Sequence, residues 1–139
     1  MAGTYYSENK ILDIYFGSSG SLTPPPQTWY VGLSTTTPTE AGGNITEPSG
    51  GAGYARRPFL NNKTNFSVAS SGSLANSGSA IQFSESTGSW GTITHIVFFD
   101  ALVAGNAWFW EALSTPRTVA ASTTVYFAAG ALTVSNNNA

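Results

Sequence analysis

The sequence predicts a mainly β protein: an antiparallel β-sandwich or jelly-roll-like single domain with one short N-terminal helix. Seven or eight short segments rich in β-branched and aromatic residues are separated by Gly, Ser, Pro and Asn turns, which is typical of these folds. No helical pattern lies between these segments, and this excludes a doubly wound α/β fold. We divide the chain into a helix and Pro-rich connector, 1–27, and a β-sandwich domain, 28–139.

The predicted helix lies near the N-terminus. We expect Ser7 to be its N-cap and Gly17 to end it, with Glu8 at the positive end of the helix dipole. Between these limits the apolar residues recur at helical spacing and form one stripe, Ile11, Leu12, Tyr15 and Phe16. The segment 18–27 contains three consecutive prolines, which favour an extended connector because proline removes a backbone donor and fixes φ.

The predicted strands share β-branched and aromatic residues and are bounded by turn residues. They cover 28–34, 54–60, 64–70, 79–85, 91–101, 106–113, 122–130 and 131–137. The segment 91–101 is apolar on both faces, as expected of a central strand. A Gly105-Asn106 turn predicts that it pairs with 106–113 as a hairpin.

Composition and charge exclude several function classes. The formal charge is −2 and only 9% of residues are charged, so the clustered basic residues that bind nucleic acid are missing. There is no cysteine and one histidine, too few for a zinc site. The Gly-rich run 50–53 lacks the phosphate-loop pattern. With no apolar run long enough for a membrane helix and no signal peptide, we expect synthesis in a cytoplasm and no cofactor, metal, nucleic acid or membrane partner.

Catalysis has little support in the sequence. Strict alternation along the central strand places Ile93 on the face of His95 and Asp100 on the opposite face, so no local Ser-His-Asp arrangement forms. Glu85, Asp100 and Glu111 lie at strand ends or edges, where two carboxylates could serve a glycosidase. The simpler interpretation is that Asp100 accepts hydrogen bonds from turn amides and that Glu111 is solvated or paired. We therefore expect no enzyme.

The sequence contains two adjacent arginines, Arg56 and Arg57, for which we predict different structural roles. Alternation places Arg56 on the face of Tyr54 and Arg57 on the other face. We predict that Arg56 turns inward as a structural clamp, through a bidentate bond to Glu47 or Asp100. Arg57 is expected at the surface or at a subunit contact.

Large aromatic residues supply the candidate anchors of a core or a subunit interface. They are Trp29, Tyr30, Trp90, Trp108 and Trp110. Amphipathic rings also suit a sugar-binding platform, so a ligand role for the tryptophans stays open.

Six segments, in this order, resemble a family of small virion proteins of tailed bacteriophages, described as tail fibre or as capsid decoration (cement) proteins. They are ENKILD, WYVGLSTTTPTEAGG, TEPSGGAGYARRPF, GSWGTITHIVFFDA, GNAWFWEALSTPRTV and TVYFAAGALTVS. The resemblance covers nearly the whole chain. The chain departs from the family pattern at Val97-Phe98, where two smaller residues are common, and at Glu111, where glycine is usual.

The resemblance implies a non-enzymatic virion building block, assembled in the bacterial host cytoplasm as a homo-oligomer, with a trimer expected. Its partners would be the major capsid protein or tail components. The absence of fibrous repeats and coiled-coil heptads favours a decoration protein that reinforces capsomer joints on the outer head. The alternative is a tail- or fibre-associated protein that contacts host surface glycans through exposed tryptophans.

Overall fold

A computed structural model describes residues 1–17 and 24–135 of the chain. It is mainly β, with antiparallel sheets and one N-terminal α-helix, and the predicted fold class is confirmed. Most of the predicted connector and the last residues of the final predicted strand lie outside the described residues. No helix in the described part is long and apolar enough to cross a membrane.

Helix α1 spans Tyr5–Phe16, and its N-cap is Thr4. The predicted N-cap, Ser7, lies instead in the first turn, where its backbone N–H donates to Thr4 Oγ1 at 3.3 Å. Tertiary contacts explain this difference, because Thr4 N and Oγ1 donate to the carbonyls of Trp108 and Ala107 at 2.9 and 2.7 Å. They hold Thr4 in the extended conformation that an N-cap requires. Gly17 ends the helix, as predicted.

Among the described residues, nine strands form one five-stranded sheet and two short pairs. The strands are β1 (Ala2–Gly3), β2 (Thr28–Ser34), β3 (Arg57–Leu60), β4 (Ser73–Ala75), β5 (Ile81–Gln82), β6 (Gly91–Phe99), β7 (Ala107–Val119), β8 (Tyr126–Phe127) and β9 (Thr133–Ser135). The sheet has the order β1-β7-β6-β2-β3, and the pairs are β4-β9 and β5-β8. Every pairing is antiparallel.

The predicted strands agree with the structure to different extents, and of the predicted strand 122–130 only Tyr126–Phe127 forms a strand. β2 has the predicted bounds, and β6 pairs with β7 as the predicted hairpin. The predicted strand 64–70 is wrong. Asn62 begins a turn there, because its Oδ1 accepts from the backbone N–H groups of Thr64 and Asn65 at 3.0 and 2.9 Å.

The main core lies on one face of the sheet. On β2, alternate residues point into it, and the short strand pairs cover it from the other side. The buried core residues are Trp29, Val31, Leu33, Tyr54, Phe59, Phe66, Ile81, Phe83, Trp90, Ile93, Ile96, Phe98, Trp108, Val119 and Leu132.

The opposite face of the sheet carries a second, smaller cluster. Val97, Phe99 and Ala107 are buried there, with Ile45 from the loop that follows β2 packed against them. Apolar residues on both faces explain why β6 reads as a continuous apolar run. A register shift between Ile93 and His95 moves Ile93 into the main core, so strict alternation assigned Ile93 to the wrong face.

Candidate functional site

Arg56 joins two loops on the second face of the sheet. Its Nε and Nη2 donate to Glu47 Oε1 and Oε2 at 2.9 and 2.7 Å, which is a bidentate ion pair. Its Nη1 donates to the carbonyls of Ala101 and Ala104 at 2.8 and 2.7 Å. Only 8% of Arg56 is exposed. Of the two predicted acceptors, the structure brings Glu47 to Arg56, and Asp100 bonds to other groups.

Aromatic rings enclose the Arg56–Glu47 pair. The Arg56 guanidinium carbon lies 3.4 Å from the centroid of the Phe99 ring, within the range of a cation–π contact. Tyr54 donates its hydroxyl to Glu47 Oε1 at 2.6 Å and accepts from Leu33 N at 2.9 Å. Burial, followed by the bond to the Glu47 carboxylate, raises the pKa of Tyr54 far above its ordinary value. The phenol therefore stays protonated and remains a donor.

Gly32 leaves the space that the Glu47 carboxylate occupies. A Cβ atom at this position would lie 2.8 Å from Glu47 Oε1, 2.8 Å from Phe99 Cε2 and 3.0 Å from the Tyr54 hydroxyl. Sequence reasoning missed this role. The available signal was a glycine inside an otherwise apolar strand, which is typical of a close approach by another group.

Asp100 holds the loop between β6 and β7. Its Oδ1 accepts from Asn106 N at 2.7 Å, and its Oδ2 accepts from Asn106 Nδ2 at 2.9 Å and from Trp108 Nε1 at 3.0 Å. Partial burial pushes the pKa of Asp100 up, but the bonds from Asn106 and Trp108 outweigh it and leave the pKa below its ordinary value. A carboxyl with a lowered pKa is a poor general acid.

Arg57 is half-buried at the start of β3, where it pairs with Val31. On that strand the buried side chain is Phe59, and Pro58 is exposed. Because β3 begins only at Arg57, the alternation predicted from residue 54 does not extend unbroken through the two arginines.

The candidate aromatic anchors divide between the two faces of the sheet. Trp29, Trp90 and Trp108 are buried in the main core, and the rings of Trp29 and Trp108 meet edge to face at 5.3 Å. Tyr30 and Trp110 are half-buried against the second cluster. Three of the four indoles are therefore core residues rather than an exposed platform. The Nε1 atom of Trp110 is buried and has no hydrogen-bond partner in the described part of the chain.

His95 is buried beside Trp110, with 5.7 Å between the ring centroids. Its Nδ1 lies 2.7 Å from Thr94 Oγ1, and burial lowers the pKa of the imidazole, which favours the neutral form. Glu85 is exposed and Glu111 is half-buried. Within residues 1–17 and 24–135, no group of three or more His, Asp or Glu residues could hold a metal ion.

An apolar cavity of about 340 Å³ lies between the five-stranded sheet and the β4-β9 pair. The residues that line it come from separate parts of the chain: Trp29, Asn61, Asn62, Lys63, Phe66, Leu74, Phe98, Phe109 and Val134. Sequence reasoning placed only Trp29 among candidate anchors, and no local pattern unites the other residues.

The predicted apolar stripe of α1 is mostly exposed. Leu12, Tyr15 and Phe16 are 54%, 78% and 84% exposed. The start of the helix is attached to the sheet, since Tyr6 packs edge-on against Trp108 at 5.3 Å. The second half of α1 therefore presents large apolar side chains to solvent.

Comparison with known families identifies a matching family model. The model of the family Gp80, described as podophage GP4 fiber I protein gp80, matches residues 2–135. No curated protein matches the chain significantly.

Proposed function

The chain belongs to the family of podophage GP4 fiber I protein gp80, and from this membership we propose that it is a tail fibre subunit that docks onto the particle through its N-terminal helix. Membership in this family makes the chain a structural protein of a phage virion. The subunit would form a homo-oligomer, with a trimer expected, assembled in the host cytoplasm. Its proposed role is structural and involves no catalytic step.

The observation that carries the docking proposal is the exposed stripe of α1. Tyr15 and Phe16 are the most exposed aromatic side chains in the described part of the chain, yet the same protein buries three of its four tryptophans. Aromatic residues are enriched in interface cores, where charged residues are depleted. A helix that is attached to the sheet at its start and carries exposed apolar side chains in its second half is suited to bind a groove on a neighbouring subunit.

Capsid decoration is the second candidate function. The observation that favours it is compactness: in the part of the chain that the structure describes, the strands surround one main core and form no extended shaft. A decoration protein would be present in many copies on the head, and heads lacking it would lose resistance to heat.

Contact with host glycans through tryptophans stays a prediction. Trp29, Trp90 and Trp108 are buried, so a sugar platform would depend on the half-buried Trp110. Trp110→Ala is the variant that tests this idea, with phage adsorption to host cells as the measurement.

The test of location is electron microscopy of purified virions labelled with gold-conjugated antibody against this chain. Label confined to the tail region is the expected result for a fibre subunit. Label spread evenly over the head would overturn the fibre proposal and establish decoration.

A further inference from the structure

The cavity between the sheet and the β4-β9 pair has the properties of a small-molecule site. Its volume of about 340 Å³ lies within the range of about 300–1,000 Å³ that is typical of ligand pockets. The walls are aromatic and aliphatic: Trp29, Phe98 and Phe109 come from the sheet, and Leu74 and Val134, which pair across the two strands, come from β4 and β9. An apolar group that enters such a cavity leaves water and gains contact with these rings.

The polar residues that line the cavity offer donors. Lys63 Nζ donates to Ser67 O at 3.1 Å, and an ammonium group has three donors, so two remain. The Asn62 side chain accepts through Oδ1, and its Nδ2 donates to no group in the described part of the chain. None of the described residues that line the cavity is acidic. The local charge therefore favours an anion.

We propose that this cavity binds a small amphipathic anion, with an aliphatic chain or ring against Trp29 and Phe66 and a carboxylate at Lys63. The aromatic walls select the apolar part. Lys63 distinguishes an acid from the corresponding alcohol, because only the acid gains a charge-assisted hydrogen bond. This site is independent of the docking helix and does not rest on the proposed fibre role.

Calorimetric titration of the full chain with octanoate and with octanol tests the proposal. We expect saturable binding of octanoate to the wild type. Lys63→Gln should weaken octanoate binding about threefold, as expected for an exposed ion pair, and leave octanol binding unchanged. The matched control is Arg117→Gln, since Arg117 is an exposed basic residue that does not line the cavity, and it should change neither titration.

Filling the cavity gives the second arm of the test. Leu74→Trp should abolish binding of both probes, and Val134→Phe is the replacement variant if thermal unfolding shows that Leu74→Trp does not fold. Absence of saturable octanoate binding to the wild type would overturn the proposal, as would unchanged binding in a folded cavity-filling variant. If octanoate does not bind and Leu74→Trp dissociates an oligomer, a second copy of the chain occupies the cavity and the proposal is wrong.

Discussion

Arg56 bonds to Glu47, Ala101 and Ala104, and this geometry gives a residue-scale prediction. Arg56→Lys keeps the positive charge but loses the planar fork that bonds both Glu47 oxygens and the stacking on Phe99. We expect a loss of about 2 kcal/mol in the free energy of unfolding, because a buried charge-assisted network is left partly unpaired. Urea unfolding at neutral pH measures this loss.

Arg57→Lys is the matched control for this measurement. Arg57 is half-buried on β3 and has no ion pair with any of the described residues, so we expect a change within about 0.5 kcal/mol. Equal stabilities of Arg56→Lys and the wild type would contradict the clamp hypothesis.

Gly32→Ala tests whether the same cluster depends on close packing. The new methyl group would lie 2.8 Å from both Glu47 Oε1 and Phe99 Cε2, so the ion pair or the ring must move. We expect a loss of about 1–3 kcal/mol, the range of overpacked cores. Gly50→Ala is the control, because a Cβ atom there meets nothing within 4 Å. Thermal unfolding measures both variants. If Gly32→Ala and the wild type melted at the same temperature, the side chains around Glu47 would accommodate the methyl group without loss of stability.

At the scale of the element, the β6–β7 hairpin gives a pH prediction through Asp100. The folded pKa of Asp100 lies below its ordinary value of 3.8, so its contribution to stability is complete above that pH and is lost as the pH falls through the folded pKa. Asp100→Asn should lower the free energy of unfolding by about 1 kcal/mol at neutral pH.

The difference between Asp100→Asn and the wild type should then shrink as the pH falls through the folded pKa of Asp100, because protonation makes the wild-type carboxyl neutral as well. Urea unfolding at a series of pH values from neutral downward measures it. Asp13→Asn, at an exposed helix position, is the control, and its free energy of unfolding at neutral pH should stay within about 0.5 kcal/mol of the wild type. A difference for Asp100→Asn that stays constant with pH would mean that the carboxylate charge does not stabilise the loop.

The hairpin also shows which elements the sequence could predict. Strands β2 and β6 and the first part of β7 are rich in β-branched and aromatic residues, which outweigh local turn signals. The predicted strand 106–113 stops short of the end of β7 at Val119, because the residues from Ser114 to Thr118 are polar or proline and exposed. β5 and β8 pair over only two residues each, and such short pairings depend on packing against the core rather than on local pattern. The turn at Asn62 prevailed over the apolar alternation of 64–70 because side-chain oxygens satisfy the backbone there.

At the scale of the whole molecule, the candidate sites were predictable only where charge chemistry limited the choices. The chain has five basic and seven acidic residues, which leaves few carboxylate acceptors for a buried arginine. The sequence could therefore limit the predicted acceptors of Arg56 to Glu47 and Asp100. The cavity brings together Trp29, Phe66 and Val134, which are separated by most of the chain. The cavity forms because of the way the β4-β9 pair packs against the five-stranded sheet, and no local sequence pattern predicts this packing.

The exposed end of α1 gives the last prediction, which concerns how the molecule joins the particle. The double variant Tyr15→Ser, Phe16→Ser removes two aromatic side chains that the isolated chain does not bury. Its free energy of unfolding should stay within about 0.5 kcal/mol of the wild type. Burying one such side chain at a docked interface contributes about 1.5 kcal/mol or more, so losing both should weaken docking roughly a hundredfold.

The measurement is the number of copies retained in purified virions when the double variant complements a phage that lacks this protein. Val68→Ser is the control, because Val68 is 77% exposed but lies far from α1 in the sequence, on the loop between β3 and β4. It should be retained at the wild-type level. Normal retention of the double variant would exclude α1 as the docking element.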